Sequence, residues 1–282
     1  MIKIITDSAS DITQEEALRL GIKIIPLRLR FGDTEYIDGI NITNKEFFNR
    51  LVESDELPKT SQLTPFDYAN VFDEIDKKDT AIVICLSGNL SGTYNSASIA
   101  AADYDNVYVV DSKNVTIGQR LLTLRALELT KEYDDAKKIV SILEEEKKKI
   151  RLVALLDTLE YLKKGGRISA TTAVVGGILN IKPVLAIEDG RIISIGKARG
   201  SKNGNNKLRE AIVNYQGIDF TKPYATAYSG LDDSLLEKYI QDSKDLCDKE
   251  IPKVLIGSVI GTHIGPGAIA VAFFSKGDGK NE

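Results

Sequence analysis

The residues of this chain that are best suited to chemistry lie at 87–93, directly after the apolar run 81–86. Serine, glycine, asparagine and threonine alternate there, and the residues that follow favour a helix. Glycines let a backbone approach a ligand closely, and the first amides of a helix carry a partial positive charge. We therefore predict that this corner binds an anion, either a carboxylate or a phosphate.

Ser91, within that corner, has three interpretations: a nucleophile, an anion-binding hydroxyl, or a cap of the following helix. A hydrolase nucleophile elbow has the pattern Gly-x-Ser-x-Gly, whereas two residues separate Gly88 from Ser91. The elbow is therefore absent. Helix capping, ligand binding and catalysis all stay open on this local sequence, in that order of preference.

His263 is the only histidine of the chain, and it lies in the glycine-rich segment 261–267 between two apolar runs. We expect a turn there, and loops of this kind often carry function. A histidine that bonds only within its own turn explains the pattern equally well. A single histidine and two distant cysteines, Cys85 and Cys247, predict no metal site and no disulfide, and both thiols are expected to be packed.

The segment 163–169 combines two lysines, two glycines and Arg167, and is a second candidate anion site. The alternative is that this segment is the C-terminal end of a helix, with a glycine cap and lysines that interact favourably with the helix dipole. Nucleotide-binding patterns fail, because residues 190–197 have the wrong glycine spacing and no Gly-x-Gly-x-x-Gly follows a strand. We expect no directly bound ATP or NAD cofactor. Asp7 and Asp38 are expected to be turn residues.

The elements that position these residues follow an α/β pattern, in which short apolar runs alternate with amphipathic segments. Helices are predicted to start at Thr13, Thr43 and Thr64, and a hairpin turn at 188–191. Two amphipathic helices are predicted over about 116–148, and they suggest a domain boundary near residue 150. The predicted domains are 1–150 and 151–282, and we expect a ligand site between them. The apolar runs are 2–6, 22–29, 81–86, 107–110, 152–156, 183–187, 225–228, 254–260 and 268–274.

Composition limits the function classes. The chain has 282 residues, 43% of them hydrophobic, which is enough for one large or two ordinary domains. Its net charge of −4 offers no basic stripe, so nucleic acid is not an expected partner. No apolar run approaches the roughly 20 residues that span a bilayer, and no signal peptide is evident, so we expect a cytoplasmic protein.

Six short segments occur in a fixed order along nearly the whole chain. They are Thr-Asp-Ser-Ala-Ser-Asp at 6–11, Tyr-Ile-Asp-Gly at 36–39, Lys-Thr-Ser-Gln at 59–62, Leu-Ser-Gly-Thr-Tyr at 90–94, Lys-Gly-Gly-Arg-Ile-Ser at 164–169 and Thr-His-Ile-Gly-Pro-Gly at 262–267. Together they resemble the DegV family of bacterial fatty-acid-binding proteins, which includes the FakB subunits of fatty acid kinase.

The resemblance implies two α/β domains, with a mainly parallel sheet in the first, a mixed sheet in the second, and a long-chain fatty acid such as palmitate buried between them. The apolar segment 170–179 suits either the acyl tunnel or helix packing. Arg167 and Arg199 are expected near the head group or at a partner contact. The carboxylate would be bound by Thr60, Ser61, Ser91, Gly92 and His263.

The resemblance also implies a partner kinase that converts the bound fatty acid into an acyl phosphate, so that the carrier itself performs no chemistry. An acyl hydrolase using Ser91 and His263 is the alternative, and an interaction module with lipid as structural filler is a third reading. The chain departs from the family pattern after Arg199 and after Gln119. Arg120 and Arg125 are hypothesised to contact an anionic membrane surface transiently during ligand exchange.

Overall fold

The computed structural model describes residues 1–54, 56–168, 180–246 and 250–277, and it has the α/β class predicted from the sequence. The strands are β1 (Ile2–Asp7), β2 (Ile22–Ile25), β3 (Arg28–Phe31), β4 (Thr34–Ile37), β5 (Lys59–Ser61), β6 (Thr80–Cys85), β7 (Val107–Asp111), β8 (Ile150–Leu155), β9 (Ile181–Glu188), β10 (Arg191–Arg199), β11 (Tyr224–Tyr228), β12 (Lys253–Leu255) and β13 (Ile269–Phe274). The helices are α1 (Gln14–Leu20), α2 (Asn44–Glu53), α3 (Pro65–Phe72), α4 (Thr93–Ala101), α5 (Thr116–Leu129), α6 (Ala136–Glu146), α7 (Glu160–Lys164), α8 (Gly200–Asn214), α9 (Ser234–Asp242) and α10 (Ser258–Ile264).

Two large sheets form the framework. The first is a parallel sheet in the order β2-β1-β6-β7, and the second has six strands in the order β10-β9-β8-β13-β11-β12. The second sheet is mixed, because β11 and β12 are parallel while its other neighbours are antiparallel. The predicted parallel and mixed sheets are therefore confirmed. The six-stranded sheet begins at Ile150, and the division into domains 1–150 and 151–282 stays a prediction.

The third sheet is small and antiparallel, in the order β4-β3-β5. Its register pairs Leu29 with Thr60 and Arg28 with Ser61. The edge strand β5 thus carries two of the predicted site residues. The three predicted helix starts are confirmed, because Thr13, Thr43 and Thr64 each accept a hydrogen bond from the amide three residues later.

Helix α5 lies against both large sheets, and most of its side chains are buried. The prediction of two amphipathic helices is therefore right for α6 and wrong for α5, since a helix covered on two sides must bury nearly every face. Arg120 is 8% exposed and donates to Glu16 at 2.8 Å, while Arg125 donates to Glu146 at 2.8 Å. The expected cationic face for a membrane surface is thus not formed by these arginines.

The apolar run 254–260 does not form one strand as predicted. It divides into the short strand β12 and the first residues of α10, with Gly257 at the helix N-cap. His263 consequently lies in the last turn of α10 and not in the expected turn. Of the two cysteines, Cys85 is buried and free as predicted, whereas Cys247 and residues 170–179 lie outside the described residues. Among the described helices, none has the length and apolarity needed to cross a membrane.

The hairpin between β9 and β10 turns at Asp189 and Gly190, as predicted, and both have positive φ values of 47° and 76°. Its tip bonds to the loop after β6. The Ser87 hydroxyl donates to the Gly190 carbonyl at 2.8 Å, and the Asn89 side-chain amide donates to the Asp189 carbonyl at 2.8 Å. The predicted anion-binding corner is therefore joined directly to the second sheet.

Replacing Gly190 by Ala should destabilise the protein by about 1–3 kcal/mol. An alanine is strained at the positive φ of this position, and its Cβ would lie 2.3 Å from the Ser87 hydroxyl oxygen. Urea unfolding of the two proteins measures the difference. Gly196→Ala on β10 is the matched control, since no atom lies within 4 Å of the added Cβ. Equal losses in both variants would contradict the account of the hairpin tip.

Candidate functional site

A cavity of about 420 Å³ brings together most of the residues that the sequence analysis selected. Its polar lining comes from β5 and the following loop, from the corner before α4, from Arg167 after α7, and from α10. The lining residues are Leu27, Thr60, Ser61, Gln62, Leu86, Leu90, Ser91, Gly92, Val115, Leu162, Arg167, Ile192, Val259, Ile260, His263 and Ile264.

Thr93 links the two polar segments of the cavity. Its buried hydroxyl oxygen accepts from the Leu63 amide at 3.3 Å and lies 3.0 Å from the Ser91 hydroxyl oxygen. Ser91 Oγ also accepts from the Thr93 amide at 3.3 Å, so this serine helps to order the start of α4 while facing the cavity. The N-cap of α4 is Gly92, so the prediction of Ser91 as the helix cap is wrong by one residue, and ligand binding by Ser91 stays a prediction.

His263 reaches across from α10 to the small sheet, where its Nε2 lies 3.0 Å from the Thr60 hydroxyl oxygen. Burial, reinforced by the positive charge of Arg167, lowers the pKa of His263 from 6.5 to about 4. The imidazole is therefore neutral at neutral pH and has one N–H to donate. Its Nδ1 is buried and has no hydrogen-bond partner among the described residues.

Gln62 lines the cavity and belongs to the Thr-Ser-Gln loop that the resemblance places at the carboxylate, although no role of its own was predicted for it. Its side chain lies over Gly92, where an added Cβ would be 2.1 Å from Gln62 Oε1. Gly92 is therefore needed for close approach of this amide, and not for a positive φ. The signal for Gln62 was present, because it directly follows Thr60 and Ser61 in the segment 59–62.

Arg167 and Arg199 have different positions. Arg167 is exposed at the cavity, and its guanidinium donates to the Gly165 carbonyl at 2.7 Å and to the Leu90 carbonyl at 3.5 Å. Arg199 is exposed at the far end of β10 and does not line the cavity. At about 3.3 Å per strand residue it lies roughly 20 Å from Ile192. The structure therefore does not bring Arg199 to the predicted head-group vicinity.

A second cavity of about 60 Å³ adjoins the first. The two share five lining residues, and apart from Thr116 every side chain around the second cavity is apolar. Together they form a site that is polar at one end and apolar at the other. The shared residues are Val115, Leu162, Ile192, Ile260 and Ile264.

The geometry does not assemble Ser91 and His263 into a nucleophile and base. Ser91 Oγ bonds to Thr93, and His263 Nε2 bonds to Thr60. A hydrolytic dyad requires the base to bond the nucleophile and to be oriented by a third group. Within the described part of the chain, no carboxylate or carbonyl bonds His263 Nδ1.

Asp7 and Asp38 are more than the turn residues predicted from sequence. Asp7 does cap a short 3₁₀ turn by accepting from the Ala9 amide at 3.1 Å, and burial raises its pKa to about 6. Asp38 is 4% exposed and accepts from the Ser258 amide at 3.2 Å, across 220 residues of chain. This contact reaches the helix that carries His263.

Comparison with known proteins gives one consistent result. A family model described as uncharacterised proteins of the DegV family matches residues 1–276. A DegV domain-containing protein from Caldanaerobacter subterraneus is 35% identical over 98% of this chain and 99% of its own length. The chain also resembles a DegV family protein from Thermus thermophilus described for its fatty acid binding, with a TM-score of 0.85 and 32% identity over 97% of this chain and 99% of the other. A stearic acid-binding protein from Eubacterium ventriosum gives a TM-score of 0.85 and 28% identity over 98% and 99%.

The His263 imidazole should titrate with a midpoint near pH 4, well below its ordinary 6.5, because burial disfavours the charged ring. Its neutral form contributes stability that is complete above pH 6.5 and is lost as the pH falls toward 4. NMR of the ring protons measures the midpoint without ambiguity, since the chain has one histidine. The urea-unfolded protein is the control and should titrate near 6.5; the same midpoint in the folded protein would show that the ring is exposed.

Proposed function

The chain belongs to the DegV family, and we propose that it binds one long-chain fatty acid and presents the carboxylate to a partner kinase for acyl-phosphate formation. The observation that carries the proposal is the pair of adjoining cavities, which share five lining residues and are together polar at one end and apolar at the other. The fatty acid binding described for the Thermus thermophilus protein, at 32% identity, supports the same ligand class.

The polar end suits a carboxylate. A carboxylate that leaves water is unfavourable unless several donors replace its hydration. The hydroxyls of Ser61 and Ser91 and the amides of Gly92 and Gln62 supply such donors. Thr60 and His263 are bonded to each other and share one proton in that bond, so the pair supplies one further donor: the Thr60 hydroxyl or the imidazole N–H, according to the tautomer. Arg167 contributes a positive charge at the exposed edge of the same cavity.

The apolar end supplies most of the affinity. Each buried methylene contributes about 0.8 kcal/mol before the cost of association is subtracted, so the chain of palmitate binds tightly even when the head group meets mainly neutral donors. The neutral state of His263 fits this division, since the imidazole then donates a hydrogen bond without adding a charge.

The exposed positions of Ser61, Gln62 and Arg167 support presentation of the head group. These side chains border the polar end of the cavity, so a partner that docks there would meet the carboxylate and not the acyl chain. In this proposal the partner supplies ATP and the phosphoryl-transfer chemistry. Arg167 is then placed to contact the kinase, whereas a kinase contact at Arg199 would require a second, distant point on the surface.

Purified protein should carry one fatty acid per chain, which native mass spectrometry and solvent extraction would detect. It should give no turnover of p-nitrophenyl palmitate, because Ser91 and His263 are bonded to other residues. The palmitate-loaded protein should yield acyl phosphate when ATP and a fatty acid kinase catalytic subunit are added. Ester hydrolysis that disappears in Ser91→Ala would instead establish the hydrolase.

If the protein binds palmitate but the kinase reaction fails, the proposed presentation of the carboxylate to a kinase is overturned, whereas the proposed fatty-acid binding still holds. Protein that neither contains nor takes up palmitate or oleate would overturn both.

Thr60→Val and Ser91→Ala should each weaken palmitate binding about tenfold, the effect expected when one hydrogen bond to a charged group is lost. Ser98→Ala is the matched control, because this hydroxyl on α4 bonds the Tyr94 carbonyl at 3.0 Å and does not line the cavity. Calorimetric dissociation constants for palmitate and methyl palmitate separate head-group from chain effects. A loss of equal size for the ester would show that the hydroxyls do not recognise the carboxylate.

A further inference from the structure

Two buried carboxyl groups, Asp11 and Asp38, lie together behind the candidate site and are called here the acid pair. They are 7% and 4% exposed. Asp11 ends the 3₁₀ turn Ser8–Ser10 with φ 53°, and Asp38 directly follows β4. Neither lines the cavity of about 420 Å³, so neither is placed to touch a ligand there.

The acid pair caps the first turn of α10. Asp11 accepts from the Gly257 amide at 2.9 Å, and Asp38 accepts from both the amide and the hydroxyl of Ser258. Gly257, at the N-cap, has no side chain of its own to satisfy these donors. Carboxylates are favourable at a helix N-terminus, where amides are unpaired and the dipole is positive. Here they come from the other half of the chain.

The same carboxyl groups are fixed to two further walls of the site. Asp38 accepts from the Ser8 hydroxyl at 2.7 Å, and Ser8 Oγ in turn accepts from the Leu27 amide at 3.0 Å. Asp11 accepts from the Thr116 hydroxyl at the start of α5. Leu27 lines the polar cavity and Thr116 lines the apolar one. The acid pair therefore joins three parts of the cavity lining by hydrogen bonds: the start of α10, the segment at Leu27 and the start of α5.

The other end of α10 carries the head-group histidine. At 1.5 Å per helical residue, His263 lies about 7 Å along the axis from Ser258. Val259, Ile260 and Ile264 of the same helix line the cavity. A shift of the first turn of α10 is therefore transmitted to His263 and its 3.0 Å contact with Thr60.

Keeping two acids in this place is unfavourable by itself. Burial is the largest cause that raises the pKa of Asp11, to about 7, and of Asp38, and each carboxylate opposes the charge of the other. Apolar packing would be sufficient at this place if the contact only had to stabilise the fold. Hydrogen bonds are directional, so those that Asp11 and Asp38 accept also fix where α10 begins.

We propose that Asp11 and Asp38 are positioning residues for the carboxylate end of the fatty-acid site, acting through α10 on His263 and not on the ligand itself. The inference rests on the proposed function and names residues on which its head-group recognition depends. It assigns them a measurable effect on the affinity for a carboxylate ligand.

The test is a double-mutant cycle of Asp38→Asn and His263→Ala, with palmitate affinity measured by calorimetry. An asparagine amide keeps the shape but cannot accept all the hydrogen bonds that Asp38 receives from Ser8 and Ser258. Asp38→Asn should weaken binding up to about tenfold, the size of the lost His263 hydrogen bond. In the His263→Ala background it should have less than a twofold effect, because the group it positions is gone.

Asp79→Asn is the matched control. Asp79 is also a buried acid, but it pairs with the amino group of Met1 at 2.7 Å, at the start of β1 and away from α10. It should lower stability without changing the palmitate affinity. Effects of Asp38→Asn and His263→Ala that multiply in the double variant, or an unchanged affinity in Asp38→Asn, would overturn the proposal.

Ser258→Ala gives a milder test that keeps both acids, should Asp38→Asn fail to fold. In the protein without ligand, this change should move the NMR signal and the titration midpoint of His263, whereas Asp79→Asn should not. That readout is independent of fatty acid. Unchanged His263 signals would therefore overturn the positioning role alone, and failure of the wild-type protein to bind palmitate would overturn the proposed function alone.

Discussion

The hydrogen bonds between the acid pair and the start of α10 are the contact on which the site depends. Asp11 and Asp38 belong to the first half of the chain, and Gly257 and Ser258 lie near its end. Because α10 contributes both the imidazole and apolar wall residues, the cavity exists only when this helix is seated against the small sheet. The site is thus a property of the junction between the chain's two halves, and neither sheet contains it alone.

In the proposed function, a fatty acid makes opposite demands on one site, and the two ends of the cavity lining differ accordingly. The head-group end collects hydroxyls, amides and a neutral imidazole from three separate segments, whereas the interior end is apolar apart from Thr116. Mainly neutral donors bind a carboxylate less strongly than a buried arginine would, so in the proposed function the acyl chain dominates the affinity. Such a balance suits the proposed carrier role, which also requires release of the ligand.

Local features of the sequence predicted local features of the structure. The Asp189-Gly190 turn and the helix starts at Thr13, Thr43 and Thr64 follow from backbone preferences within a few residues, and all are present. Glycine and hydroxyl residues likewise marked the corner that holds Ser91. Features that depend on distant packing were not readable: the burial of α5, the helical setting of His263, and the bond of Asp38 to a residue 220 positions away. The position of Arg199 was not readable either, because the sequence around it does not show how far it lies from the cavity.

Two of the junctions between the halves of the chain, at the acid pair and at the hairpin tip, differ in chemistry. At the acid pair, buried carboxyl groups accept several hydrogen bonds each, so loss of one donor leaves a carboxyl oxygen without that protein partner. At the hairpin tip, Ser87 and Asn89 donate to backbone carbonyls. The Ser87 bond is buried, whereas Asn89 is exposed, so water replaces only the Asn89 bond at little cost. Ile192, just beyond that tip, lines both cavities. One junction therefore joins the halves of the chain through buried carboxyl groups, and the other joins them through one buried and one exposed hydrogen bond to backbone carbonyls.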